Sequence, residues 1–121
     1  MKSVLVIEDN PLVRELIVSC LARIQANIRA VSSAEEALDT IRHDGRPDLI
    51  LSDVVLPQRS GSDLVKHLRG NEMTRDIPVV AVTVLADPKD ELRLRADGFS
   101  DVIAKPIDPA LFTARVARWI K

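Results

Sequence analysis

The chain has 121 residues, 46% hydrophobic and 29% charged, a length that fits one domain spanning residues 1–121 around a single core. No apolar run approaches the ~20 residues that cross a bilayer, which argues against membrane insertion, and the start MKSVLVIEDN lacks the long apolar region of a secretory signal, so a cytoplasmic location is expected. With 18 acids against 17 bases no global field draws the chain directly to nucleic acid, and Cys20, the only cysteine, reads as a small buried hydrophobe.

Residues 4–7 form a continuous, β-branched apolar run, the pattern of a strand covered on both faces. Asn10-Pro11 then supplies an N-cap and a proline at the first helical position. The helix it opens carries Leu12, Val13, Leu16, Ile17, Cys20, Leu21 and Ile24 on one broad stripe. Residues 27–31 are a weaker strand, followed by the capping box Ser33-Ala34-Glu35-Glu36 and a helix that should stop at Gly45. Residues 49–51 are a third buried strand, and the helix after it should stop at Gly70. Residues 79–82 are the fourth, with a helix opened by Asp87-Pro88 and closed at Gly98. Residues 102–104 are the fifth, and Asp108-Pro109 opens a last helix whose apolar side is Leu111, Phe112, Val116, Trp119 and Ile120. Phe99 and Phe112 read as packing residues and Trp119 as a partly exposed one. His43 and His67 fall late in helical segments and read as surface side chains.

Five strand–helix alternations predict an α/β fold: a five-stranded parallel sheet in order 2-1-3-4-5, doubly wound and flavodoxin-like, (βα)5 with right-handed crossovers. In that order ligands bind beyond the carboxyl ends of the strands, where strands one and three diverge. Those ends carry Glu8 and Asp9, Asp53, Thr83 and Lys105. Taken singly, each has an ordinary role: the acid pair favours the positive end of a helix, threonine is a good strand former and lysine is usually solvated. Their coincidence at one edge is what points to a site.

Two carboxylates ~5 Å apart at an effective dielectric of ~20 repel by about 3 kcal/mol, so three converging acids imply a cation. With no histidine or cysteine beside them they form a hard oxygen site, suited to Mg²⁺ or Mn²⁺ and poor for zinc. A carboxylate beside such a metal, a lysine and a hydroxyl has the parts needed to accept a phosphoryl group. Asp53 is then the nucleophile, with Lys105 and the metal holding the added charge and Thr83 bonding a phosphoryl oxygen.

With these residues in place the sequence resembles the response-regulator receiver domains, the CheY-like phosphoacceptor modules of two-component signalling, along essentially its whole length. The motifs are VLVIEDN, ILSDVVLPQRSG, PVVAVT and IAKP, in that order. The resemblance implies that Asp53 takes phosphate from a histidine kinase or a histidine phosphotransfer protein. Asp9, Asp53 and the backbone carbonyl of Val55 would bind the metal directly, Glu8 largely through water, and the Lys105-Pro106 bond would be cis. It implies a switch of protein contacts through helix four, strand five and helix five, where Lys89, Arg93, Arg95, Arg115 and Arg118 lie. It also implies that the chain is not a turnover enzyme. The sequence ends near the close of the last helix, which suggests a stand-alone regulator or the receiver of a hybrid kinase.

The sequence departs from this family at four positions. Val102 occupies the place where relatives carry an aromatic or histidine switch residue, and a valine has no ring to rotate. Val84 follows Thr83 where a smaller side chain is common. Val55 and Leu85 occupy the positions that influence phosphate hydrolysis, and neither side chain hydrogen-bonds water, so slow self-dephosphorylation is expected. Two other readings are weaker. An aspartate-nucleophile phosphatase of the haloacid dehalogenase type would want a DxD motif after the first strand, where Glu8-Asp9 stands, and a flavodoxin-like ligand binder would want a glycine-rich phosphate loop there.

Overall fold

A computed structural model describes residues 1–120. Its elements alternate throughout: β1 Lys2–Ile7, α1 Pro11–Leu21, β2 Ala26–Val31, α2 Ala34–Asp44, β3 Leu49–Ser52, α3 Gly61–Arg69, β4 Val79–Thr83, α4 Pro88–Asp97, β5 Asp101–Ala104 and α5 Pro109–Ala117. The five strands form one parallel sheet in the order β2-β1-β3-β4-β5, as the alternation predicted. Among the described residues no helix is long and apolar enough to cross a membrane.

The central strands β3 and β4 are buried along their whole length, as is β1 from Val4 onward, because helices cover both faces there, whereas the edge strand β2 alternates and is largely exposed. Leu5, Ile7, Ile50, Val79 and Ala81 point into one core with Ala37 of α2, Leu64 and Leu68 of α3 and Leu94 of α4. Val4, Val6, Leu49, Leu51, Val80 and Val82 point into the other, with Ile17 and Leu21 of α1 and Phe112 and Val116 of α5. Full burial of each such leucine, isoleucine or phenylalanine contributes about 1.5–3 kcal/mol, which fixes which face of every strand meets which helices.

The expected caps are present. Asn10 Oδ1 accepts the backbone N–H groups of Leu12 and Val13, Asp87 Oδ1 that of Asp90, and Asp108 Oδ1 those of Ala110 and Leu111. Ser33 Oγ caps α2 through the Glu36 N–H, but the reciprocal half of the capping box is diverted: the Glu36 carboxylate takes the Ser32 hydroxyl. Gly45, Gly70 and Gly98 are the C-caps of α2, α3 and α4. Ser60, which caps α3 by accepting the Asp63 N–H, was not evident from the sequence.

Two stripes are narrower than their sequences suggest. Ile17, Cys20 and Leu21 of α1 are buried, whereas Leu12 is 76% exposed and Leu16 also faces solvent; on α5, Phe112 and Val116 are buried and Leu111 is 67% exposed. The sheet covers one arc of each helix, and the first-turn residues lie past its edge. Helix α5 ends at Ala117, so Trp119 and Ile120 belong to the segment after it. His43 and His67 are exposed, as expected.

Candidate functional site

The register of the sheet delivers the site. Ile7 of β1 pairs with Ser52 of β3, and the ladder runs one residue further on each side: Asp53 N–H donates to the Ile7 carbonyl at 3.0 Å, Glu8 N–H to Val31 and Lys105 N–H to Thr83. The ladder bonds therefore end at Glu8, Asp53 and Lys105, three of the residues that the sequence places at this edge.

Glu8, Asp9 and Asp53 each offer a carboxylate oxygen, and the three oxygens lie within 4.8 Å of one another. Lys105 Nζ bridges two of them, at 2.6 Å from Glu8 Oε1 and 2.8 Å from Asp53 Oδ2. Burial pushes the Lys105 ammonium down, but the hydrogen bonds and charges of Asp53 and Glu8 outweigh it and hold its pKa above the ordinary lysine value. Lys105 therefore stays charged at neutral pH; its stabilising contribution is complete below the unfolded value of about 10.4 and disappears as pH rises through the folded one.

The acids differ in what holds them. Glu8 is only 1% exposed, and its second oxygen accepts the Asn10 N–H at 3.1 Å. Asp53 Oδ1 accepts the N–H of Val54 at 2.7 Å and, at 3.4 Å, that of Val55. Asp9 is exposed and makes no side-chain hydrogen bond or ion pair with the described residues. One lysine thus faces three carboxylates, and the uncompensated acid is the one most open to solvent. That donor set fits a hard divalent ion: oxygens only, from two strands, with the Val55 carbonyl accepting no hydrogen bond from the described residues. Of the three acids, only Asp9 has both carboxylate oxygens free of hydrogen bonds from the described residues.

The connection after β3 is pressed against Asp53. Gly61 N–H donates to the Val54 carbonyl at 2.8 Å, and a Cβ on Gly61 would stand 2.2 Å from the Asp53 carbonyl oxygen and 2.9 Å from Val54 Cα. Only glycine fits there. The Lys105–Pro106 bond is cis, as the resemblance implied.

Thr83 is not part of the cluster in this conformation. It is fully buried, and its hydroxyl oxygen accepts the Leu85 N–H at 3.1 Å; no hydrogen bond joins it to the acids or to Lys105 among the described residues. Val55 and Val84 are exposed at the rim, and Val102 is buried in the core. Two neighbours went unnoticed in the sequence. Arg14 Nη1 donates to the Glu8 carbonyl at 2.9 Å, and the Ser52 hydroxyl donates to the Asp53 carbonyl at 2.8 Å. A polar residue directly before Asp53 was a signal for Ser52; the six-residue spacing that brings Arg14 back over the first turn of α1 was one only once the helix start was known.

The basic group on α4 and α5 is also less free than expected. Arg95 Nη2 and Arg115 Nη2 reach Asp101 Oδ1 at 3.1 and 2.7 Å, and the Trp119 indole N–H donates to Asp101 Oδ2 at 3.2 Å. Lys89 and Arg118 remain exposed, and Arg93 lies 3.4 Å from Asp90.

Residues 4–117 match the response regulator receiver domain family. The polar-differentiation response regulator DivK of Brucella ovis is 38% identical over 119 residues, covering 98% of this chain and 96% of the relative. Among solved structures, the signal receiver domain of a histidine kinase from Syntrophus aciditrophicus superposes with a TM-score of 0.87 at 33% identity, covering 98% of this chain and 89% of the other. The receiver domain of a Pseudomonas aeruginosa sensor histidine kinase, which has magnesium coordinated in its active-site cleft, superposes with a TM-score of 0.86 at 28% identity, covering 98% and 96%. None of these matches supports an aspartate-nucleophile phosphatase. The family match, the DivK likeness over nearly all of both chains and the acid edge of the sheet converge: the chain belongs to the response regulator receiver domains of two-component signalling.

Proposed function

We propose that Asp53 is the phosphoacceptor of this receiver domain and that residues 1–121 act as one cytoplasmic switching unit. An Asp53 carboxylate oxygen attacks the phosphorus of a phosphohistidine on a kinase or phosphotransfer protein, the P–N bond breaks, and its electron pair stays on the imidazole. The product is an acyl phosphate. Lys105 already donates to Asp53 and holds a positive charge where the phosphoryl oxygens arrive. Asp9, Asp53 and the Val55 carbonyl would hold Mg²⁺ or Mn²⁺, with Glu8 acting through water. When bound, the ion supplies neutralisation of charge on the transferring phosphoryl group. The observation that carries this reading is the set of three carboxylates with oxygens within 4.8 Å of one another, two of them bridged by one lysine.

In this reading the Thr83 hydroxyl, which accepts the Leu85 N–H, turns to donate its own O–H to a phosphoryl oxygen. That movement is passed on through the β4–α4 connection, since Val102 has no ring to turn, and is read by a partner protein on α4, β5 and α5. The domain completes one transfer per phosphorylation and is not a turnover enzyme. Incubation with acetyl phosphate and Mg²⁺ tests this: the protein should gain one acid-labile, hydroxylamine-sensitive phosphate, and Asp53→Asn should gain none. Repeated release of phosphate, or labelling that survives the substitution, would move the chemistry elsewhere. Val55 and Leu85 offer no side-chain group to an attacking water, so phosphate loss should be slow and Val55→Asn should hasten it, measured as decay of the purified phosphoprotein.

A further inference from the structure

Arg14 is the fourth residue of α1, and its backbone N–H takes the Asn10 carbonyl at 2.9 Å, as the helix requires. Its side chain runs back over the first turn to the Glu8 carbonyl at 2.9 Å. That carbonyl stands where β1 and β2 have just parted, since Glu8 N–H still donates to the Val31 carbonyl at the end of β2. No backbone N–H from the chain after β2 reaches the Glu8 oxygen among the described residues. The Glu8 oxygen is thus left without a strand partner, and Arg14 takes it.

The Glu8 carbonyl is one end of the planar peptide unit whose other end is Asp9. Holding its oxygen fixes the rotation of that plane, and with it the direction in which the Asp9 side chain leaves the backbone. Glu8 is held independently through both carboxylate oxygens, by Lys105 and by the Asn10 N–H. Asp9 is not: its carboxylate is exposed and bonded to no described residue, so only the backbone aims it. Arg14, for its part, forms no ion pair with any carboxylate among the described residues.

We infer that Arg14 is a positioning residue which, by holding the Glu8–Asp9 peptide, aims the Asp9 carboxylate and sets the affinity of the acid cluster for its divalent ion. The inference rests on the metal-site reading given above. A purely electrostatic role has the opposite sign: a guanidinium near a cation site repels the ion, so its removal would tighten binding.

Mn²⁺ binding to the unphosphorylated full chain, followed by the paramagnetic resonance of free Mn²⁺, separates the two. Outer-shell partners of metal ligands typically change affinity 10–100-fold, and Arg14→Ala should weaken Mn²⁺ binding by about tenfold, with Arg14→Lys recovering most of the loss. Asp9→Ala should abolish binding. A role in stability alone would lower the melting temperature and leave the Kd unchanged. Unchanged or tighter binding in Arg14→Ala, with binding lost in Asp9→Ala, overturns the inference and leaves the metal site standing; wild-type affinity in Asp9→Ala overturns both. Should Arg14→Ala fail to fold, Arg14→Gln decides, with weaker binding expected and equal or tighter binding overturning the inference.

Discussion

Two acid centres lie at opposite ends of the sheet, and their surroundings differ in kind. Asp101, at the start of β5, is buried, and every side of its carboxylate is answered: Arg95, Arg115, the Trp119 indole and the Val102 N–H. Burial pushes its pKa up, but the bonds from Arg115, Val102 and Trp119 and the Arg115 charge outweigh burial and hold it below the ordinary carboxylate value. At the other end, Lys105 is the one cation among the described residues that pairs with the cluster, and it reaches Glu8 and Asp53 but not Asp9. Asp101 arrives with its cations, whereas the three-acid cluster is left short of positive charge, as the proposed metal site requires.

Breaking the first centre should cost more than breaking the second. Asp101→Ala strips Arg115 and the indole of their acceptor and should destabilise the domain by about 2 kcal/mol in urea unfolding. This lies below the 3–5 kcal/mol typical of fully buried pairs, because the Arg95 and Arg115 side chains are 44% and 37% exposed. The effect has a pH signature with a definite sign. A folded pKa below the unfolded value of about 3.9 gives stability that is complete above that value and fades as pH falls through the folded one. The gap between wild type and Asp101→Ala should therefore hold steady above about pH 5 and narrow in acid.

Trp119→Phe keeps an aromatic side chain, though a smaller one, and removes the indole N–H that donates to the same carboxylate, and should cost about 1 kcal/mol. At the other centre the sign should reverse. Asp9→Asn, measured without divalent ions in low salt, should stabilise the domain by about 0.5–1 kcal/mol, because it relieves repulsion at an exposed, screened position. Loss of stability in Asp9→Asn would mean that the acids are compensated by something other than a metal.

Much of this contrast was legible in the sequence at one end only. The strands were readable because both faces of the sheet are covered, so apolar runs such as residues 49–51 lack alternation, and because Asn10-Pro11, Asp87-Pro88 and Asp108-Pro109 mark helix starts with side chain and ring together. The acids, Thr83 and Lys105 followed from where those strands end. Asp101 and its partners did not follow: its bonds to Arg115 and Trp119 span 14 and 18 residues and depend on how α5 lies against β5, which no local pattern records. The exposure of Leu12 and Leu111 was hidden for the same reason, since periodicity gives a face and not the width of sheet beneath it. The inward turn of the Thr83 hydroxyl depends on the path of the β4–α4 connection, which local spacing leaves open.

The most direct test of the charge-deficient centre is the melting temperature of the unphosphorylated protein with and without Mg²⁺ in low salt. At ten times its Kd a ligand selective for the native state adds about 1.4 kcal/mol, so wild type should melt several degrees higher with Mg²⁺ and Asp9→Asn should lose most of that rise. No rise in wild type, or an equal rise in Asp9→Asn, would contradict the account.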